Sequence, residues 1–300
     1  RSGMLPASPN LIYYLEQWQK QYRRLGTPNR IKPKEIIYGG AIDRVEKLLQ
    51  FSYRLEEEFK TWLESLSFRP IDKLLREELS HNDVIRVLVR AENPQLHRLP
   101  WHLWDFLDSY PQSELAFGTY AFKQASQITQ VTTKSKIRIL AIIGNSKGID
   151  TEEDRKLLQS LPDTELLFLV EPKRQELNAL LWEQPWDILF FSGHSETEKD
   201  CGRIYINAED GLTIDELKYG LKNSIAQGLQ LAIFNSCDGL GLAYQLEKLH
   251  LPQVIVMREP VPDRVAQEFL KNFLRAFASG NSLYLATRIA REKLQGWEDR

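Results

Sequence analysis

Asp187-Ile188-Leu189-Phe190-Phe191-Ser192-Gly193-His194-Ser195 is the stretch on which the fold turns. An apolar run held between an aspartate and a Ser-Gly pair is too short for a helix and fits a strand buried on both faces. Similar runs recur on either side. Ile137–Gly144, Glu165–Val170, Leu229–Phe234 and Gln253–Met257 read as strands. Glu152–Leu161, Lys173–Trp182, Ile214–Asn223 and Leu240–Leu249 read as the helices between and after them, with Asp263–Phe277 and Ser282–Leu294 closing the chain. Short apolar strands alternating with helices predict an α/β fold with a mostly parallel sheet covered on both faces. Between Arg203–Ile206 and Leu212–Ile214, the segment Asn207-Ala208-Glu209-Asp210-Gly211 predicts a hairpin with Asp-Gly at its turn.

The N-terminal part has another texture. Leu11, Tyr14, Leu15, Trp18 and Tyr22 mark one amphipathic helix. Val45, Leu48, Leu49, Phe51, Leu55 and Phe59 mark a second, and Ile71, Leu74, Leu75 and Leu79 a third. Thr27–Pro33 has turn chemistry. Val84–Val89 reads as a strand, and Pro100 opens a short turn or helix in Leu99-Pro100-Trp101-His102-Leu103-Trp104. The polar stretch Gln124–Lys136 is the expected linker. The organisation expected is a helical N-terminal extension over 1–80 and a second domain over 81–300, with its core at about 136–300.

Composition narrows the function. Thirty-nine Lys and Arg against forty-one Asp and Glu give a formal charge of −2, a poor match for a domain that grips nucleic-acid phosphate. Two cysteines, Cys201 and Cys237, exclude a disulfide scaffold and an all-cysteine zinc site. No apolar run approaches the roughly 18 residues of a membrane span, and no secretory leader opens the chain. These features predict a soluble, cytoplasmic protein without nucleic-acid or membrane partners. Arg1-Ser2-Gly3-Met4 reads as a processing or cloning remnant, so the chain is expected to be a piece of a longer one.

In open α/β sheets reactive groups gather past the carboxyl ends of the strands. One strand runs into Gly193-His194-Ser195 and another into Asn235-Ser236-Cys237-Asp238-Gly239. If those strands are neighbours, His194 and Cys237 emerge side by side. A free thiol titrates at about 8.5, and both an imidazolium and a helix N-terminus favour its thiolate. Cys237 precedes the helix Leu240–Leu249, and His194 can protonate a leaving amine. The glycines on either side are expected to let a peptide lie close. The amide of Cys237 with that of Gly193 or Ser195 would form an oxyanion hole, worth about 3–4 kcal/mol per donor. The bland reading is a buried, inert cysteine and a structural histidine.

Other candidates are weaker. Cys201, read in a loop over Glu196–Gly202, is an alternative thiol or redox switch, or a loop cysteine without a role. Gly239-Leu240-Gly241-Leu242-Ala243-Tyr244 mimics a dinucleotide site but ends in Tyr244 where a small residue is needed. Gly144-Asn145-Ser146-Lys147-Gly148 lacks phosphate-loop spacing, and His81, His97, His102 and His250 lack metal spacing. No cofactor and no metal are expected. Glu56-Glu57-Glu58 and Glu152-Glu153-Asp154 read as solvated helix faces, and Trp101, Trp104, Trp182 and Trp186 as core or interface packing.

Taken together, Phe190-Phe191-Ser192-Gly193-His194-Ser195, Asn235-Ser236-Cys237-Asp238-Gly239 and the upstream Leu99-Pro100-Trp101 resemble a CHAT domain, the caspase-like peptidase domain frequent in bacteria. The likeness covers roughly 80–295, and Tyr13–Gly26 is similar to segments that precede such domains in cyanobacterial proteins. The resemblance implies a caspase-like α/β sandwich and a cysteine endopeptidase acting on a protein or peptide, with His194 as general acid/base and Cys237 as nucleophile. Many relatives carry Gly directly after the histidine; here Ser195 stands there. Related peptidases that prefer a basic P1 residue often place an acid where Asn235 stands. Asp150 and Asp238 are the candidates for an acidic S1 pocket taking Arg or Lys, or are solvated loop carboxylates. A regulatory protein partner is implied for a signalling peptidase. The alternative is a catalytically quiet signalling or scaffolding module.

Overall fold

The computed structural model describes residues 5–24, 41–91, 93–118, 136–198, 201–236 and 239–295. The predicted turn at Thr27–Pro33 and nearly all of the predicted linker lie outside them. The chain forms two compact units. Of the described residues, one unit holds those up to Gly118 together with Ser282–Arg288; the other holds those from Lys136 to Asn281 and from Ile289 onward.

In the first unit, α1 (Pro9–Arg24) buries Leu11 and Leu15, one helical turn apart. They meet Leu55, Phe59, Trp62 and Leu63 from the second half of α2 (Ala41–Leu63) in one apolar cluster. Salt bridges Arg54–Glu57 and Lys60–Glu56 occupy the outer face of α2, so the predicted solvated stripe is present. The first half of α2 departs from its sequence pattern: Val45 and Leu49 are exposed. The third helix, α3 (Arg69–Glu78), has its proline in the first turn, where no backbone donor is lost.

The Leu-Pro-Trp element is a plug for this core. Leu99 is fully buried and Trp101 nearly so, and Trp101 stands edge-on to Phe59 and Trp62. Its indole N–H donates to the Leu96 carbonyl. Trp104 is buried as well, its N–H on the Asp72 carboxylate. Strand β1 (Ile85–Arg90) pairs in parallel with β2 (Ser113–Gly118), and the short helix α4 (Asp105–Ser109) lies in the crossover between them.

The last piece of this unit arrives from far along the chain. Arg288, on α10 (Leu283–Glu292), is 6% exposed and donates through Nη1 to the carbonyls of Tyr110 and Ser113 and to the Ser113 hydroxyl at 2.7–3.1 Å. Charged donors to buried acceptors are worth about 1.5–3 kcal/mol, and their loss leaves the acceptors unsatisfied. Arg288→Ala is therefore expected to cost about 3 kcal/mol in chemical denaturation, with loss of under about 0.5 kcal/mol refuting the anchoring role.

The second unit is built on five parallel strands: β3 (Ile137–Ile143), β4 (Thr164–Val170), β5 (Ile188–Ser192), β9 (Leu231–Asn235) and β10 (Gln253–Val256). Their order is β10-β9-β5-β3-β4. Helices α5 (Thr151–Gln159), α6 (Arg174–Glu183), α7 (Ile214–Ala226), α8 (Leu240–Lys248) and α9 (Asp263–Ala278) supply the cover. This is the parallel sheet flanked by helices expected from the alternation of elements. The chain leaves β3 outward to β4, then returns to β5 on the other side of β3, so the strand order reverses between β3 and β5. Ligands in such sheets bind at the carboxyl ends near that reversal.

Between β5 and α7 lies a small antiparallel sheet of β6 (Ser195–Glu198), β7 (Cys201–Tyr205) and β8 (Gly211–Thr213). The predicted hairpin is β7–β8, but its turn is longer than an Asp-Gly pair. The Asn207 side chain accepts from the amides of Glu209 and Asp210, and Gly211 already opens β8. Cys201 begins a strand instead of sitting in a loop, half-buried, with the Gln245 amide at 3.4 Å from its sulfur. Of the tryptophans in this unit, Trp186 is core, as expected, but Trp182 is exposed. Among the described residues, no helix is long and apolar enough to cross a membrane.

Candidate active site

Strands β5 and β9 are neighbours, parallel and in register, with Ser192 opposite Asn235. The two sequences singled out for their chemistry thus leave the same end of the sheet from paired residues. On the β5 side, the chain crosses to β6 through Gly193 and His194 alone. The β3 exit loop braces this crossing. Gly144 N–H donates to the Ser192 carbonyl, His194 N–H to the Asn145 carbonyl, and Asn145 N–H to the Tyr205 carbonyl at 2.8–3.1 Å. A Cβ on Gly193 would lie 3.0 Å from the Phe191 ring and 3.2 Å from the Asn145 carbonyl. The absence of a side chain at Gly193 thus permits a close approach inside the chain. The same holds for Gly239, where a Cβ would sit 2.7 Å from Val256.

The His194 ring is half-buried, with Nε2 3.0 Å from the Lys147 carbonyl. A carbonyl only accepts, so at this contact Nε2 is the donor. Next along, the Tyr205 N–H donates to the His194 carbonyl. That makes His194 and Tyr205 a hydrogen-bonded position, and the alternation of an antiparallel ladder turns the Ser195 amide away from β7. The Ser195 hydroxyl donates to that of Ser236 at 2.8 Å. This bond joins the residue after His194 to the buried residue before Cys237.

Cys237 and Asp238 lie outside the described residues. The chain resumes at Gly239, whose N–H donates to the Met257 carbonyl and which caps α8. That helix is fastened to the antiparallel sheet: Gly241 N–H donates to Thr197 Oγ1, and Gly202 N–H to the Gln245 side chain.

Of the remaining candidates, Asn235 is 1% exposed, and its amide donates to Asp154 Oδ2 at 3.0 Å. Asp150 is exposed at the start of α5. Its N–H donates to Asp263 and its carbonyl accepts from Gln267, so its described bonds run to α9 and not to the His194 loop. Gly193, His194, Ser195 and Asn235 are brought to one end of the sheet; Asp150 is held by other partners.

Asp154 corrects the sequence reading. It was grouped with Glu152 and Glu153 on a solvated face, yet it is fully buried and takes the Ser192 hydroxyl at 2.6 Å on the same oxygen that takes Asn235. The available signal was its spacing: Asp154 sits one turn before Leu158, the other buried residue of α5. Ser236 and the Lys147 carbonyl also escaped the sequence reading, and a backbone carbonyl leaves no mark in a sequence.

A family model, the CHAT domain, matches residues 57–299. The chain belongs to the CHAT family. CHAT domains are caspase-like, and the mostly parallel sheet flanked by helices agrees with that class. The match begins within α2 and takes in both units, so the α/β unit and much of the helical one lie inside the CHAT region. No curated protein matches the chain. What the family supports is a caspase-like, peptidase-related module.

Proposed function

We propose that this CHAT chain is a cysteine endopeptidase, with Cys237 as nucleophile and His194 as general acid/base. The observation that supports it best is the register of β5 and β9, Ser192 opposite Asn235, tied across their exits by the 2.8 Å Ser195–Ser236 bond. In the reading offered here, the Cys237 thiol gives its proton to His194 Nδ1 and its sulfur attacks the scissile carbonyl carbon. The oxyanion accepts from the Gly193 and Ser195 amides. Collapse breaks the C–N bond as the imidazolium protonates the leaving amine. Water, deprotonated by His194, then releases the acid and restores the thiol.

We assign the P1 residue to Arg or Lys, taken by the acidic side chain of Asp238; Asp150, bonded to α9, and Asn235, bonded to the buried Asp154, are given no part in that pocket. The chain acts in a reducing, cytoplasmic setting on a protein substrate, under a regulatory protein partner. No cofactor takes part in this scheme. A quiet scaffold is the second reading, favoured by the exposed apolar stripe Val45, Leu49 and Tyr53 on α2.

The test is intact mass after exposure to peptide acyloxymethyl ketones that differ at P1. A single adduct is expected in the parent and in Cys201→Ala, formed fastest with Arg or Lys, and absent in Cys237→Ala. An adduct that survives Cys237→Ala would refute the assignment. A folded parent that reacts with no member of the panel would favour the scaffold.

A further inference from the structure

Asp154 is a buried titratable group that the proposed reaction does not use. Its carboxylate is 0% exposed on α5, beneath the carboxyl ends of β5 and β9. Burying a carboxylate is unfavourable unless it is hydrogen-bonded, and apolar side chains of like size commonly serve stability at least as well. Here a single oxygen, Oδ2, receives the Ser192 hydroxyl at 2.6 Å and the Asn235 amide at 3.0 Å. Those two residues are register partners across the central strand pair, and each is the last residue of its strand. His194 follows Ser192 by two positions, and Cys237 follows Asn235 by two.

We propose that Asp154 is a positioning residue for the His194–Cys237 pair, an inference that rests on the peptidase reading above. One oxygen holding both strand ends fixes the height at which each leaves the sheet. The Ser195–Ser236 bond sets the same two segments one step further on. The two clamps bracket the exits: the carboxylate acts at the last strand residues, the hydroxyl pair at the residues just beyond. Backbone ladder bonds alone leave the ends of parallel strands free to fray or twist. A side-chain acceptor reached from both strands removes that freedom where proton transfer demands it. Misplacement by about 1 Å far from the chemistry can lower a rate by about 100-fold, so a clamp here matters more for reactivity than for the sheet. Asp154 touches neither substrate nor the reacting atoms; it acts through Ser192 and Asn235.

The probe is iodoacetamide at pH 6.5, in a Cys201→Ala background where Cys237 is the only cysteine left, with the rate read by intact mass and folding checked by circular dichroism and thermal unfolding. The parent thiol is expected to react about tenfold faster than glutathione under the same conditions, because its thiolate is favoured. Asp154→Ala, still folded at the assay temperature, is expected to react at least about tenfold more slowly than the parent, well inside the loss that misplacement can cause. Asp154→Asn keeps a carbonyl oxygen able to accept both bonds and is expected to stay within about threefold of the parent. That rescue separates positioning from the mere presence of a buried group.

A parent no faster than glutathione refutes the peptidase reading itself. A fast parent with an equally fast, folded Asp154→Ala refutes the positioning role alone. Asp154→Asn as slow as Asp154→Ala refutes the hydrogen-bond clamp. If Asp154→Ala does not fold, Ser192→Ala decides: it removes one of the two bonds, and a several-fold slower Cys237 supports the clamp while an unchanged rate overturns it.

Discussion

His194→Ala is expected to lower kcat on any peptide the chain cuts by about 1000-fold, within the 10²–10⁴ range that a positioned acid/base contributes. The loss has two sources. In the proposed reaction, without the ring the thiol has no partner to take its proton, and the leaving amine departs unprotonated. KM is expected to change little, because in the proposed reaction the ring acts at the reacting atoms and not on the rest of the peptide. His194→Asn sharpens the result. That variant loses the donor toward the Lys147 carbonyl, which the ring reaches through Nε2 at 3.0 Å, whereas a glutamine amide can still reach it in His194→Gln, yet neither amide can carry a proton to the amine. Equal losses in His194→Ala, His194→Asn and His194→Gln, measured with a fluorogenic peptide chosen from the ketone panel, identify proton transfer as the missing function. A His194→Gln variant that keeps more than about a tenth of the parent rate would make the histidine an orienting group only.

The largest effect on stability is expected at Gly144. A Cβ there would lie 2.3 Å from the Tyr205 carbonyl oxygen and 2.8 Å from the Phe191 ring. Neither neighbour can yield cheaply. The Tyr205 carbonyl is held by the Asn145 amide, and Phe191 is fully buried in the core of the α/β unit. Gly144→Val is expected to cost about 3 kcal/mol or more, at the upper end for overpacked sites, and to leave little soluble protein. Gly144→Ala is the informative variant: it should fold with a lower denaturation midpoint and a slower Cys237. The same clash pushes on the loop that holds the His194 amide. Alanine tolerated without change in either quantity would show that the β3 exit loop relaxes freely.

The strands of the parallel sheet were legible because burial on both faces demands unbroken apolar runs, and Ile139–Ile143 and Ile188–Phe191 are such runs. Two other strands left no such mark. Strand β2, Ser113–Gly118, mixes Ser, Glu and Gly with three apolar residues, and it pairs only with β1. Strand β6 is Ser-Glu-Thr-Glu and owes its extended form to β7, not to its own composition. At the site, the histidine could be read from its place after an apolar strand. Asp154 could not be read that way. Two neighbouring acids and a position in a helix's first turn make it look solvated, while the Ser and Asn it bonds lie 38 and 81 residues away. The stripe on α2 misled in the opposite direction: helical spacing marks a face but not which half of a long helix is covered. Val45 and Leu49 share a spacing with Leu55 and Phe59, yet only the latter pair is buried.

Arg288 has a consequence for how the protein is made. Its guanidinium completes a hydrogen-bonded site at Tyr110 and Ser113, 175 residues earlier in the chain in the case of Ser113. A ribosome adding about 5–20 residues each second delivers it roughly 10–35 s after Ser113. Over that interval the first unit has its helices and a sheet of only two strands, a number that is marginal by itself in water. The α/β unit is meanwhile emerging with every strand of its sheet. The unit begun first is thus completed only once the chain has passed Arg288, long after its own helices and strands have left the ribosome.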